Sequence, residues 1–383
     1  MKIVMISQMA PYLPCSDGFR VIPANLLRQF AARHELHLIS FTEGADTPEQ
    51  LEWARGYCAS VTNLRQPAAK TRMGQLLRLR EPYTLTHEMT EHIRRLRPDI
   101  LHLEGPYTAS LAQAAPQGCA TVLSAHDCMA LRYEHFLRHA TSTRERLRCR
   151  VLGTMGARFE RRWYPRLDRV VVTSAMDAER LAQIAAPVRP VVIPNGVEVP
   201  GVAAASVPRR IVFTGNMSWP PNEDAAEFFV REVLPRVRRQ YPQAEFWIVG
   251  SSPSLRVEAL GGVPGVTVTG KVPVLAEYIA TAEVYVSPLR FGAGVKNKIL
   301  EAMAVGVPIV ATPISLSGTP LVSGRHLLQA EGPAEIAAAI GKVFDDPALE
   351  TSLAREAREE IQRHYTWECI ASQFEAVYQA ARG

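Results

Sequence analysis

Short apolar runs rich in valine and isoleucine recur along the chain, separated by stretches whose apolar positions repeat at helical spacing. In the first half they fall at residues 3–7, 36–41, 100–104, 121–124 and 169–173. In the second half they fall at 210–215, 245–250, 266–270, 283–288 and 308–312. Apolar strands alternating with helices are what βαβ units and buried parallel sheets require. Between the two series, after a Pro-Val-Val-Ile-Pro-Asn-Gly-Val segment at 190–197, residues 199–208 (VPGVAAASVP) are small side chains and prolines and read as a linker. The pattern predicts an α/β protein of two doubly wound parallel-sheet domains, with ligands at the carboxyl ends of the strands and between the domains. The expected boundaries are an N-terminal domain over 1–198, a linker over 199–208, a second domain over 209–355, and a C-terminal helix over 356–383 packing back on the first. The tail is helical in period over 348–382 and interrupted at 364–367. Beyond that break Ile370, Phe374, Val377 and Tyr378 share one helical face. No short repeat is present, which excludes a solenoid.

At 383 residues, 47% hydrophobic and 21% charged, the chain is too long for one core and is neither disordered nor collagenous. The formal charge of +5 is uneven, +7 over residues 1–200 and −2 beyond, and it falls short of a dedicated nucleic-acid binder. Six cysteines without a CxxC pair suggest neither a disulfide framework nor a thiolate zinc site. The apolar run at residues 3–7 is short for a signal peptide, and the long uncharged stretch 105–125 is broken by Pro106, Pro116 and Gly118. No transmembrane helix is expected.

Candidate chemistry concentrates at residues 285–312, YVSPLRFGAGVKNKILEAMAVGVPIVAT. A buried strand enters a glycine-containing loop, then a helix beginning near Lys296, then another strand. Unpaired amides at a helix start, its positive dipole end and glycines that allow close approach make an anion site. Lys296 and Lys298 add positive charge, and Glu301, one turn on, can accept paired hydrogen bonds from the vicinal hydroxyls of a ribose. Neither GxGxxG nor GxxxxGK[ST] is present, so pattern alone leaves open a second reading in which Gly292 and Gly294 only permit a tight turn and both lysines are solvated.

This stretch resembles the donor-site signature of GT-B-fold glycosyltransferases, in particular glycosyltransferase family 4, whose members are retaining enzymes using nucleotide sugars. The segments at 193–197 (IPNGV), 212–222 (VFTGNMSWPPN), 246–250 (FWIVG) and 268–272 (VTGKV) agree in order and spacing. The resemblance implies two Rossmann-like domains facing across a cleft. It also implies that Gly215 and Asn216 lie beside the donor phosphates, that Val272 approaches the base through its backbone, and that Gly294, Val295, Lys296, Asn297 and Lys298 cradle the diphosphate, with Glu301 on the ribose. Arg290 and Gly292 belong to the same loop. In the N-terminal domain Asp17 and Gly18 resemble the family's glycine loop near the transferred sugar, and His126 with Asp127 resembles its histidine beside the reacting centre. Two departures stand out. Ala293 occupies the position of the family's first glutamate, which would hold a hydroxyl of the sugar. The family's Arg and Lys pair is missing from 216–222, so that Lys296, Lys298 or Arg290 would have to neutralise the phosphates.

The resemblance further implies metal-independent transfer with retention, no cofactor beyond the nucleotide-sugar co-substrate, and a carbohydrate or lipid-linked acceptor in cell-surface polysaccharide or lipid-linked glycan synthesis. A DxD triplet is absent, and the His135–His139 pair lacks the glutamate of HExxH. Two alternatives are a sugar-nucleotide epimerase of the same fold and a non-catalytic nucleotide-sugar binder. Residues 132–169 hold eleven arginines against four acids, with Leu147, Val151, Met155, Phe159 and Trp163 every four residues. One reading is an interfacial helix meeting anionic lipid, which would place a cytoplasmic chain peripherally on the inner face of the membrane. The other is an amphipathic helix whose stripe is core and whose arginines are solvated.

Overall fold

The computed structural model describes residues 1–15, 18–42, 48–65, 83, 85–140, 142–201, 206–292 and 297–383. Two parallel sheets organise them. In the first, β1 (Lys2–Ser7), β2 (Glu35–Thr42), β3 (Ser60–Arg65), β4 (Ile100–Glu104), β5 (Ala120–His126), β6 (Arg169–Val172) and β7 (Val191–Val192) lie in the order β3-β2-β1-β4-β5-β6-β7. In the second, β8 (Arg210–Thr214), β9 (Glu245–Val249), β10 (Val266–Gly270), β11 (Val284–Ser287), β12 (Ile309–Ala311) and β13 (Leu328–Gln329) lie in the order β10-β9-β8-β11-β12-β13. The strand order reverses between β1 and β4 in one sheet and between β8 and β11 in the other. At such switch points crevices open at the carboxyl ends of the strands.

The apolar runs identified in the sequence supply both faces of each sheet, because successive strand side chains point oppositely. Ile3 and Met5 enter one core with the helix Gly18–Phe30, while Val4 and Ile6 enter the core on the other face. In the second sheet Ile211 and Phe213 feed one core and Val212 the other. Three strands lie outside the apolar series. β3 reads SVTNLR and is too polar to announce itself, and β7 and β13 are two residues each.

The chain forms two compact units, Met1–Gly196 with Trp367–Gly383, and Val197–Thr366. Residues 202–205 of the expected linker lie outside the described residues. The segment expected as one returning helix over 356–383 is divided. The helix Pro347–His364 belongs to the second unit, and only the helix Trp367–Arg382 belongs to the first. There Ile370, Phe374, Val377 and Tyr378 are buried in the core that holds Ile3, Leu26 and Phe30.

Candidate functional site

In the second unit Gly215, Lys298 and Glu301, all singled out by sequence, gather at the β8–β11 switch point. β8 is followed by Gly215, whose amide donates to the Val249 carbonyl at 3.1 Å. Backbone packing is tight here: a Cβ on Gly250 would lie 1.8 Å from the Gly215 carbonyl oxygen, and Gly250 has φ +151°. The turn that follows is closed by Asn216, whose Oδ1 accepts from the Ser218 amide at 3.0 Å and from its hydroxyl at 2.8 Å. This side-chain turn leads directly into the helix Pro220–Phe228.

On that helix, buried Asn222 donates from Nδ2 to the Asn216 carbonyl at 2.8 Å and accepts from Lys298 Nζ at 2.6 Å. The Lys298 ammonium also lies 4.4 Å from the centre of the Phe213 ring. A Cβ on Gly215 would come within 2.6 Å of the Asn222 amide nitrogen and 3.0 Å of Lys298 Nζ, so only glycine leaves this pocket of donors open. Lys298, on the helix Asn297–Val305, brings its charge to the end of β8, where residues 216–222 supply no basic side chain. Arg290 does not join it. Its guanidinium is held bidentately by Asp224, with Nε to Oδ2 at 2.9 Å and Nη2 to Oδ1 at 2.5 Å, and it lies over the Phe228 ring.

Glu301 is half-buried one turn into the same helix, and among the described residues its carboxylate has neither ion pair nor hydrogen bond. Burial raises its pKa, with the Lys298 charge opposing. Its charge is also felt by Tyr285, whose buried hydroxyl sits 2.8 Å from Thr214 Oγ1 at the end of β8. Glu301, Lys298 and Gly215 thus belong to one locality. Val272 follows β10, its half-buried side chain packed against the core that holds Val212 and Ile299. Gly292 has φ +133° and Asn297 opens the helix. Ala293, Gly294, Val295 and Lys296 lie outside the described residues.

In the first unit His126 ends β5 in a bulge, with φ +66°, a conformation few side chains adopt. Its carbonyl is held by the Thr173 amide at 2.9 Å and hydroxyl at 2.8 Å, and its ring stacks on Phe19 at 5.1 Å between centroids. Gly18 begins the helix that carries Phe19, the residue whose ring meets the histidine; Asp17 lies outside the described residues. Asp127 is occupied structurally, paired with Arg132 through both carboxylate oxygens.

The sequence reading passed over Glu104 and His102. Both are buried in β4, and Glu104 accepts from His126 Nε2 at 2.5 Å and His102 Nε2 at 2.7 Å. Burial alone would raise the Glu104 pKa, but the electrostatic pull of the two imidazoles, His126 first, and their hydrogen bonds hold it down at about 2. The signal was present: two polar residues at i and i+2 inside an apolar strand, just before Gly105, must share a face and find partners. A second missed acid, Glu160, is fully buried and accepts from the Met129 amide at 2.6 Å.

The helix Thr143–Trp163 divides the two readings of its stripe. Phe159 and Trp163 are core, whereas Leu147 is 63% and Val151 45% exposed among Arg144, Arg146, Arg148 and Arg150. A capping box between Ser142 and Glu145 closes the start of this helix. Among the described residues no helix is long and apolar enough to cross a membrane, and no group of three or more His, Cys, Asp or Glu is placed to hold a metal ion.

A family model described as Glycosyltransferase Family 4 matches residues 17–199, and one described as Glycosyl transferases group 1 matches residues 208–346. A phosphatidyl-myo-inositol mannosyltransferase of Mycobacterium tuberculosis is 29% identical over 208 residues, which is 50% of this chain and 54% of the relative. The chain spans about half the length of the curated relatives it matches. Among solved structures, sucrose-phosphate synthase from Thermosynechococcus elongatus superposes with a TM-score of 0.69 at 18% identity, covering 99% of this chain and 98% of that one. Anabaena Alr3699/HepE in complex with UDP gives 0.69 at 14% identity, covering 99% and 100%. Two parallel-sheet α/β units in this strand order, matched along nearly the whole chain by such neighbours and by both family models, make the protein a GT-B-fold member of glycosyltransferase family 4.

Proposed function

We propose that the chain transfers a sugar from a nucleoside-diphosphate sugar to a hydroxyl acceptor, with retention at the anomeric carbon and without a divalent metal. The observation that carries this reading is the cluster at the end of β8: an ammonium held by Asn222 beside Gly215, with the unpartnered Glu301 carboxylate in the same locality. As the anomeric C–O bond breaks, negative charge grows on the leaving phosphate, and a pre-placed Lys298 and the helix start beside it act where that charge develops. Glu301 takes the ribose hydroxyls, and Gly294, Val295, Lys296 and Asn297 complete the phosphate cradle. The departing phosphate oxygen takes the proton of the acceptor hydroxyl, which bonds to the anomeric carbon from the same face. His126 acts at the transferred sugar, and the Asp17 and Gly18 segment serves the same sugar.

The acceptor is a lipid-linked glycan or a related carbohydrate, a reading supported by the phosphatidyl-myo-inositol mannosyltransferases among the relatives. The exposed Leu147 and Val151, set among arginines, support peripheral contact with an anionic membrane through residues 132–169. The test is incubation with uridine, guanosine and adenosine diphosphate sugars in the presence of a chelator, with product stereochemistry read by NMR. Expected is release of nucleoside diphosphate with a product of unchanged anomeric configuration. Epimerised donor without cleavage, or donor bound and never consumed, would overturn the proposal.

A further inference from the structure

The buried polar groups of the first unit form a chain that the roles assigned so far do not use. His126 Nε2 lies 2.5 Å from Glu104 Oε1, Glu104 Oε2 lies 2.7 Å from His102 Nε2, and His102 Nδ1 lies 2.7 Å from the Tyr378 hydroxyl. Glu104, His102 and Tyr378 are essentially without solvent exposure. Three elements distant in sequence contribute, β5, β4 and the helix Trp367–Arg382, all within one compact unit.

The donor and acceptor inventory sets the hydrogen at each Nε2. An ionised carboxylate only accepts, so each imidazole presents Nε2–H to Glu104. With Nε2–H committed, the imidazole form of His102 offers a lone pair on Nδ1 to the Tyr378 hydroxyl, and burial keeps that hydroxyl protonated. At the other end Nε2 of His126 is committed and Nδ1 is its remaining polar atom. Phe19 stacked on the ring restricts its tilt, and the bulged backbone aims it. Nothing in the fold requires a buried carboxylate here, since apolar residues of similar volume would avoid its desolvation.

We propose that Glu104 is a positioning residue for His126, fixing the imidazole in its Nε2–H tautomer and anchoring it through His102 to Tyr378 of the C-terminal helix. This rests on the reading of His126 as the histidine at the transferred sugar. The helix 367–382 is then part of the catalytic frame, because it supplies the last donor of the chain.

Glu104→Gln tests this with little change of volume. A glutamine can accept from one histidine only while donating to the other, so one of the two tautomers must reverse. With the ¹⁵N-histidine-labelled full chain, NMR should show a single Nε2–H form of His126 in the wild type and a mixed population in Glu104→Gln. Turnover of the nucleotide sugar should lose roughly 10- to 100-fold in kcat at unchanged donor KM, the scale of a misplaced catalytic group. In a His126→Ala background the same substitution should cost less than twofold more. Tyr378→Phe, which keeps the ring packing, should give a smaller loss of kcat of the same kind. If His126→Ala loses turnover while folded Glu104→Gln keeps it, the proposal is overturned and the reading of His126 stands. If His126→Ala itself keeps kcat, that reading falls and the role of Glu104 falls with it. Losses that multiply in the double variant would make Glu104 a purely structural group and also overturn the proposal.

Discussion

Lys298→Met isolates the charge on which donor binding is argued to depend. Methionine keeps most of the stem over Phe213 and removes the ammonium that lies 4.4 Å from that ring and 2.6 Å from Asn222 Oδ1. Two effects of different size follow. In the free protein the loss of a cation–π contact costs about 0.5–2 kcal/mol, and the buried Asn222 oxygen is left without this donor, which costs about 1–3 kcal/mol. In the complex a charge-assisted hydrogen bond to phosphate disappears, a contribution of about 1.5–3 kcal/mol, or roughly 10- to 150-fold in dissociation constant. The assay is titration calorimetry, well below the melting temperature, with whichever of uridine, guanosine and adenosine diphosphate binds the wild type best, and with the corresponding nucleoside. Affinity for the diphosphate should fall by that factor while the nucleoside term stays nearly constant. A folded Lys298→Met variant that binds the diphosphate within twofold of the wild type would refute the assignment. Arg290→Met serves as the contrast: its guanidinium is already committed to Asp224, so the loss should be under threefold.

Glu160 makes stability depend on pH. Burial raises its carboxyl pKa from about 4.5 to about 7, so between those values the native chain holds a proton that the unfolded chain has released. Stability from this group is complete below pH 4.5 and declines by about 3 kcal/mol as pH rises through 7. Urea denaturation at pH 5 and pH 8 should show Glu160→Gln gaining on the wild type at the higher pH; equal differences at both would contradict this. Gly250→Ala places a Cβ 1.8 Å from the Gly215 oxygen, so it should cost about 1–3 kcal/mol and displace the end of β8, weakening diphosphate binding as well. A variant as stable and as tight as the wild type would show that the β8 and β9 ends tolerate separation. The double substitution Leu147→Asp and Val151→Asp should abolish sedimentation with anionic vesicles and leave the melting temperature within a degree or two, because neither side chain is core. Equal binding of the wild type to neutral and anionic vesicles would remove the charge-based membrane contact.

The strands were legible where burial on both faces makes them continuously apolar, and the helical return of residues 367–382 was legible in the spacing of Ile370, Phe374, Val377 and Tyr378. The polar edge strand Ser60–Arg65 was not, because an edge needs no second apolar face. In the second unit Glu301 and Gly215 could be named from their motifs, but the Lys298–Asn222 contact joins residues 76 apart, and no local pattern encodes it. Periodicity also left two readings open at one helix. The stripe from Leu147 to Trp163 is uniform in sequence, yet the structure gives core partners only to its far end, since spacing tells which residues share a face and not how far the opposing surface extends.

Hydrogen–deuterium exchange with and without a saturating nucleoside diphosphate tests the placement of the phosphates most directly. Slowed exchange is predicted at residues 215–219 and in the first turn of the helix Asn297–Val305, and it should vanish in Lys298→Met at the same ligand concentration. Protection confined to residues 8–20 and 126–128, with none at 215–219, would contradict the account.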